Sequence, residues 1–254
     1  MLLSAVLASI LSAQAGMAPV GGRVVWTVLA VLGSQVFTGA LNDWADRERD
    51  ATAQPSKPIP SGAVSAPAAL AVAAIGLLLQ VVASIPTGVA ALATGLVASG
   101  SAAAYNLLLS RTPLSVLPYL VSFGLLPIWI AVGIGVSLER VAFAPLLVAP
   151  FAAAAHLANT VRDFDADAAL RSGNLAQVLG RRRSFALAYG LALGIGVGVG
   201  AFLLRDGAIE APGLVLGAGG IVAVAQGITG PRRLWFGMLV AAVCWTAAWA
   251  LATG

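Results

Sequence analysis

Long uncharged stretches separated by short polar ones dominate the chain. The longest, between Lys57 and Arg111, contains 53 residues without a charge and is broken only by a Pro/Gly turn signal around Pro86. A helix needs about 20 apolar residues to cross the hydrocarbon core, and a backbone inside lipid must satisfy its own hydrogen bonds. The pattern therefore predicts nine transmembrane helices. Their approximate bounds are 2–20, 24–42, 64–83, 88–109, 114–136, 142–160, 184–204, 212–228 and 234–252.

Composition agrees with an all-α polytopic membrane bundle that forms one domain over residues 1–254. The 254 residues are 59% hydrophobic and 9% charged, with a mean hydropathy of +0.95. Because soluble domains carry about 25% charged residues, a soluble protein is excluded. Ala13-Gln14-Ala15 resembles a signal-peptide cleavage site, but no Lys or Arg precedes it. We therefore interpret the first apolar stretch as a span.

The basic residues predict the orientation of the bundle. With the N-terminus in the cytoplasm, the outer loops hold only three of the 14 Lys and Arg residues: Arg23, Arg140 and Arg205. The positive-inside rule favours this orientation. The sequence pI of about 10 could indicate nucleic acid, but the positive charges lie in short loops between spans. This placement favours membrane lipid and phosphate groups as partners. It argues against nucleic acid as a partner.

Acidic residues are concentrated in two segments on the predicted cytoplasmic side. The first segment, residues 42–50, ends span two, and the second segment, residues 159–167, ends span six. Both read Asn-x-x-x-Asp-x-x-x-Asp, and residues four apart share one face of a helix. The two predicted stripes are Asn42, Asp46 and Asp50, and Asn159, Asp163 and Asp167.

These stripes indicate a divalent-cation site. Aspartates at a helix C-terminus oppose the macrodipole and repel one another at this spacing, so they need a compensating cation. Clustered carboxylate oxygens favour Mg²⁺. With flanking Arg and Lys they form a diphosphate site next to long apolar helices, which suits an isoprenyl diphosphate. The plainer alternative is two solvated helix ends with Asp spaced by chance.

The motifs resemble those of the UbiA superfamily of intramembrane prenyltransferases. Asn42, Asp43, Asp46 and Asp50 match the family's Asn-Asp-x-x-Asp-x-x-x-Asp motif in all four places. Residues 56–65 are similar to its basic-Pro-[LI]-x-Ser-Gly-x-[IV]-Ser stretch, and residues 105–112 to its loop with a Tyr and a basic residue. Asp163 and Asp167, preceded by Arg162, supply its Asp-x-x-x-Asp motif.

The resemblance implies a nine-helix bundle that uses Mg²⁺ to bind an isoprenyl diphosphate. It implies Mg²⁺ ligands at Asp43, Asp46, Asp50, Asp163 and Asp167. It implies diphosphate contacts from Asn42, Lys57, Arg111, Asn159 and Arg162. It implies catalytic roles for Asp46, Asp163 and Tyr105, with Tyr105 and Arg111 contacting the diphosphate or shielding the cation.

Two departures from the family pattern concern the second segment and the acceptor. After the second Asp motif the family commonly has Gly and then Thr before Leu-Ala, whereas this chain has Arg171 and Asn174. The basic residue and Pro often seen before the first helix are absent, which disfavours an aromatic acid as acceptor. Transfer to a hydrophobic acceptor, aromatic or lipid, is the commoner outcome in the family. A terpene cyclase of the same type, which needs no acceptor, is the alternative.

Other function classes fit less well. A transporter would place charges near mid-span in broken helices, whereas these carboxylates lie at helix ends. The Asp-Gly-x-x-Ala-Arg signature of CDP-alcohol phosphotransferases is not in the sequence. His156, one turn before Asn159, is either a base or acceptor-lining group or a packed side chain with a hydrogen bond.

Overall fold

A computed structural model describes residues 2–205 and 211–252, and within them the ordered elements are all helical. The chain divides into two compact units, Met1–Ala142 and Phe143–Gly254. The first unit contains α1 (Leu2–Gln14), α2 (Gly22–Ala45), α3 (Arg47–Ala53), α4 (Ala66–Ser84), α5 (Val89–Ala104) and α6 (Leu117–Ile134). The second contains α7 (Ala144–Arg162), α8 (Phe164–Ala169), α9 (Leu175–Leu179), α10 (Arg181–Leu204), α11 (Ala211–Ala225) and α12 (Pro231–Ala252).

The all-α membrane architecture predicted from the apolar stretches is confirmed, but the count of nine spans is not. Within the described residues, seven helices are long and apolar enough to cross a membrane, and each overlaps a predicted span. The predicted span 2–20 is too long, because α1 has only 13 residues. It ends where Gly16 takes a φ of +72° and the Met17 N–H donates to the Ser12 carbonyl at 2.9 Å. This is the Schellman pattern that stops a helix at glycine.

Helices α2 and α4 of the first unit pack almost backbone to backbone. A Cβ placed on Gly33 would lie 2.6 Å from the Gly76 carbonyl oxygen, and one on Gly76 would lie 2.5 Å from the Phe37 nitrogen. Real Cβ contacts are never that short, so both positions require glycine. Small residues allow this close approach of membrane helices.

A buried chain of polar side chains links α2, α5 and α4. The Ser34 and Ser99 hydroxyl groups lie 2.7 Å apart, and Ser99 donates to Gln80 Oε1 at 2.8 Å. All three residues are buried. Hydrogen bonds between polar side chains hold membrane helices together because lipid offers these groups no partner.

At the other end of α2, Arg23 ties three elements of the first unit together. Its Nε donates to the Gly133 carbonyl at 3.1 Å near the end of α6. Its Nη2 donates to the Thr87 carbonyl at 2.7 Å in the turn after α4. Helix C-termini leave carbonyl groups without partners, so a guanidinium group stabilises this end of the unit.

The second unit buries its apolar core among α7, α10, α11 and α12. Leu157, Leu234, Met238 and Trp245 are among its buried side chains. The Trp245 indole lies against Gly220, and its Nε1 donates to the Gly217 carbonyl at 3.1 Å. The second Asp-rich segment begins within the last turn of α7, so the packing of this core fixes its position in the unit.

Candidate active site

The first segment bends at its middle aspartate. Helix α2 ends at Ala45, Asp46 takes φ −93° and ψ 4°, and α3 begins at Arg47. The Asp46 N–H still donates to the Asn42 carbonyl at 2.9 Å, and the Asp50 N–H to the Asp46 carbonyl at 2.8 Å. These i to i−4 bonds keep the three polar residues in one row across the bend.

Asn42 is a fixed member of this row. Its Nδ2 donates to Asp46 Oδ2 and to Asn106 Oδ1, both at 3.2 Å. Asn106 is itself held, because its Nδ2 donates to the Thr38 carbonyl at 2.8 Å. Arg111 Nη2 lies 3.5 Å from Asp46 Oδ1. Sequence reasoning did not select Asn106, although it directly follows Tyr105.

Lys57 returns to the segment from the loop that follows α3. Its Nζ lies 2.8 Å from Asp50 Oδ2 and 3.4 Å from Asp43 Oδ1, and the Asp50 side chain is only 5% exposed. Burial lowers the pKa of the Lys57 ammonium group. The hydrogen bonds and charges of Asp50 and Asp43 outweigh that effect and raise the pKa above its ordinary value.

The loop that carries Lys57 is compact for reasons visible in its sequence. The Ser61 N–H donates to the Lys57 carbonyl and the Val64 N–H to the Pro58 carbonyl, each at 3.0 Å. Gly62 takes a φ of +77°, which glycine adopts without strain. Ser65 then caps α4 by accepting the Ala68 N–H at 3.3 Å. The family-like motif at residues 56–65 thus presents one lysine to two aspartates.

Tyr105 begins a π-helical turn, Tyr105–Leu109, at the end of α5. The Ser110 N–H donates to the Tyr105 carbonyl at 2.9 Å, an i to i−5 bond. The Tyr105 ring meets the Tyr119 ring edge-on, with centroids 5.2 Å apart. The wider turn redirects the chain just before Arg111, and such turns are frequent at functional sites.

Next to these residues the first unit contains a partly open cavity of about 370 Å³. One end, which we call the mouth, is lined by Asn42, Tyr105, Asn106, Pro118 and Tyr119. The other, which we call the deep end, is lined by Val31, Ala98, Leu126 and Trp129. The cavity therefore has a polar mouth beside the first segment and an apolar deep end inside the helix bundle.

Between the mouth and the deep end, the cavity is lined by hydroxyl-bearing residues whose hydroxyl groups form hydrogen bonds within the protein. Thr38 donates to the Ser34 carbonyl at 2.8 Å, and Ser122 to the Ala98 carbonyl at 2.9 Å. Ser34 is bonded to Ser99. These hydroxyl groups already form hydrogen bonds within the protein, which lowers their tendency to bind a ligand in the cavity. Gln35, a neighbouring cavity residue, is exposed.

The second segment repeats the backbone of the first. Helix α7 ends at Arg162, Asp163 takes φ −97° and ψ 16°, and α8 begins at Phe164. The Asp163 N–H donates to the Asn159 carbonyl at 3.1 Å, and the Asp167 N–H to the Asp163 carbonyl at 2.9 Å. Asn159 is half-buried.

The side chains of the second segment have different partners. Arg162 pairs with Asp163 through two hydrogen bonds of 2.9 and 2.8 Å and lies over the Trp235 ring at 4.8 Å. Asn174 Nδ2 donates to Asp167 Oδ2 at 2.8 Å, while Asn174 Oδ1 accepts the Gln177 N–H at 3.1 Å and caps α9. Asn174 thus supplies both a helix cap and a carboxylate partner.

Two residues left open by the sequence lie near this segment. Arg171, at the place where the family commonly has Gly, takes a φ of +52°. That left-handed conformation favours glycine. His156 is buried in α7, one turn before Asn159.

The donor set fits Mg²⁺, a hard cation that prefers carboxylate and amide oxygens. Asp50 and Asp167 are both buried, and a buried carboxylate needs a cation or hydrogen-bond donors. In residues 2–205 and 211–252, no three acidic, His or Cys groups converge as a metal-ligand cluster. The carboxylates are instead engaged by Lys57, Arg111 and Arg162.

The sequence model of the UbiA prenyltransferase family matches residues 2–233. This chain belongs to that family. The family predicted from the sequence is thereby confirmed. With its apolar helices, this UbiA family member is an integral, multi-pass membrane protein. A search of curated proteins finds no significant match.

Solved structures share the fold at low sequence identity. A UbiA homologue from Aeropyrum pernix K1 aligns with a TM-score of 0.76 and 20% identity, over 97% of this chain and 95% of that one. An Archaeoglobus fulgidus UbiA homologue bound to DMAPP and Mg²⁺ gives 0.72 and 15%, over 99% and 94%. A digeranylgeranylglyceryl phosphate synthase gives 0.71 and 17%, over 97% and 92%.

Proposed function

We propose that the protein transfers an isoprenyl group from an isoprenyl diphosphate to a hydrophobic acceptor, aromatic or lipid, within the membrane. The cavity of the first unit is the observation that carries this proposal. Its polar mouth borders Asn42 of the first segment, and its deep end is apolar. An isoprenyl diphosphate has the same division between an anionic head and an apolar tail.

The relatives support the donor and the cofactor. The Archaeoglobus fulgidus homologue has been solved with DMAPP and Mg²⁺ and with GPP and Mg²⁺. The Asp residues that match the family motifs are Asp43, Asp46, Asp50, Asp163 and Asp167. We propose these as the ligands through which Mg²⁺ is held, and the bound cation would supply positive charge that stabilises the diphosphate as it leaves.

Residues of this chain would bind and orient the donor. Lys57, Arg111 and Arg162 carry positive charge next to the proposed metal ligands, so they can exchange a carboxylate for diphosphate oxygens. Asn42 and Asn159 would each donate amide hydrogens to diphosphate oxygens. Lys57 would donate from its ammonium group, which is protonated at neutral pH and whose pKa is raised further by Asp50 and Asp43.

The reaction breaks the bond between C1 of the donor and the diphosphate oxygen, and both electrons leave with the diphosphate. The edge-on pair of Tyr105 and Tyr119 lies at the mouth of the cavity, where aromatic rings can stabilise the allylic cation. An acceptor atom then bonds to C1 and loses its proton.

The deciding experiment incubates purified enzyme and Mg²⁺ with C10 to C25 prenyl diphosphates, first alone and then with phenolic, quinone-precursor and lipid acceptors. We expect diphosphate release and a prenylated product that depend on an added acceptor and stop reversibly on chelation. Cyclic hydrocarbon formed without an acceptor would reject transfer in favour of cyclisation. Full activity in EDTA would reject the metal role.

We also propose that the site faces the cytoplasm, on the ground of the asymmetry in basic residues. In a Cys244→Ala background, a cysteine at exposed Ser56 should react with an impermeant reagent only from the cytoplasmic side. One at exposed Glu139 should react only from the opposite side. Labelling of both from one side would reject this topology.

A further inference from the structure

The depth of the cavity can be read from the helices that line it. On α2 it extends from Asn42 at the mouth to Val31 at the deep end, and on α6 from Pro118 to Trp129. Both pairs are eleven residues apart, or about 16 Å at the α-helical rise. The two helices therefore give the same estimate of the cavity depth.

Trp129 closes the deep end. It is only 2% exposed and belongs to a packed cluster with Ala30, Val31 and Ala98. Its large, flat side chain borders the cavity and is held on other sides by neighbouring helices. A ligand extending along the cavity would meet this indole.

Gly95 of α5 fixes where the indole lies. A Cβ placed on Gly95 would lie 2.6 Å from both Cε2 and Cζ2 of Trp129, and 2.9 Å from Nε1. The indole is rigid, so it would have to move away from α5. Trp129 lines the cavity whereas Gly95 does not, so we infer that this movement would push the indole into the cavity and shorten it.

We propose that Trp129, seated on Gly95, sets the length of the prenyl chain that the enzyme accepts. This inference rests on the proposed function, because it assumes that the diphosphate lies at the mouth. An extended carbon chain advances about 5 Å per isoprene unit, estimated from standard bond lengths. The depth left below the diphosphate then holds about two or three units, a C10 to C15 donor.

Non-hydrolysable thiolodiphosphate analogues from C5 to C25 test this limit. Their Kd values are measured by calorimetry on the purified full-length protein with Mg²⁺. For the native protein, affinity should rise with chain length up to C10 or C15 and fall by about tenfold or more at C20. An apolar pocket that is too short for a longer substrate discriminates against it by roughly that factor.

Two substitutions should shift the limit in opposite directions. Gly95→Ala should move the optimum about one isoprene unit shorter, and Trp129→Leu about one unit longer. Gly100→Ala is the matched control, since it lies on the same helix and its Cβ would meet no atom within 4 Å. It should leave the preference unchanged. Monodispersity and retained affinity for the C5 analogue show that each variant is folded.

The possible failures are distinguishable. If the native protein binds no analogue in Mg²⁺, the proposed function itself is wrong. If analogues bind but affinity keeps rising through C20, or neither substitution moves the optimum, only the role of Trp129 is rejected. A shift in Gly100→Ala equal to that in Gly95→Ala would also reject it.

Discussion

The two Asp-rich segments share a backbone and differ in what holds their buried carboxylate. In each, the middle aspartate joins a long helix to a short one at nearly the same φ and ψ. Asp50 of the first segment is held by the Lys57 ammonium group, whereas Asp167 of the second accepts a hydrogen bond from the Asn174 amide. The sequence repeat therefore preserves the position of the carboxylates, while each unit supplies its own means of fixing them.

The middle aspartates should be equally important if the two segments are functionally equivalent. We expect Asp46→Ala and Asp163→Ala each to reduce turnover by on the order of 10³-fold or more, as for loss of a principal electrostatic stabiliser. Glu48→Gln and Asp165→Asn are controls, since both side chains are exposed and lie outside the stripes. Near-native turnover in either alanine variant would show that only one segment serves catalysis.

The different anchors of the buried carboxylates predict different responses to salt. Lys57→Met leaves Asp50 without its ammonium partner and should cost about 2 kcal/mol of stability, allowing for the partial exposure of Lys57. Asn174→Ala removes a cap and a hydrogen bond and should cost about 1–2 kcal/mol.

Unfolding in detergent at low and high ionic strength measures both losses. Salt screens charges, so the deficit of Lys57→Met should shrink at high salt while that of Asn174→Ala stays constant. Lys57→Arg, which keeps the charge, should recover most of the loss. Identical salt dependence in the two variants would contradict the contrast between an ionic and an amide anchor.

The loops that follow the two segments also differ, and substitutions there should have smaller effects on stability. Each has a residue with positive φ, Gly62 at +77° in the first and Arg171 at +52° in the second. Gly62→Ala should destabilise the protein by about 1 kcal/mol, and Arg171→Gly should stabilise it by up to about that amount. The midpoints of thermal unfolding should move in opposite directions. A lower midpoint for Arg171→Gly would show that the arginine side chain outweighs its backbone strain.

The elements of the fold that depend on local pattern could be predicted. The uncharged stretches gave the positions of the apolar helices, and the turn around Pro86 separated α4 from α5 as expected. The end of α1 was placed too late, although Gly16 followed by Pro19 is a recognisable stop signal. A hydropathy pattern does not show where a helix ends when the residues after the stop signal are also apolar.

The candidate site residues could be predicted where they lie close together in sequence or match a family motif, as Tyr105 and Arg111 do. The spacing within 42–50 and 159–167 identified both segments. Asn106 became visible only through its bond with Asn42, 64 residues away. Trp129 and the π-helical turn at Tyr105 likewise depend on packing between helices. Single-sequence patterns do not encode such contacts.

The contact between Gly33 and Gly76 has a consequence for mutational tolerance. Every missense change at a glycine codon introduces a Cβ or a proline ring, and at these two positions a Cβ would collide with the backbone of the facing helix. No replacement is conservative there, whereas Gly100 has open space around it. In a saturation-mutagenesis survey scored by protein abundance, we expect positions 33 and 76 to reject all substitutions and position 100 to accept alanine.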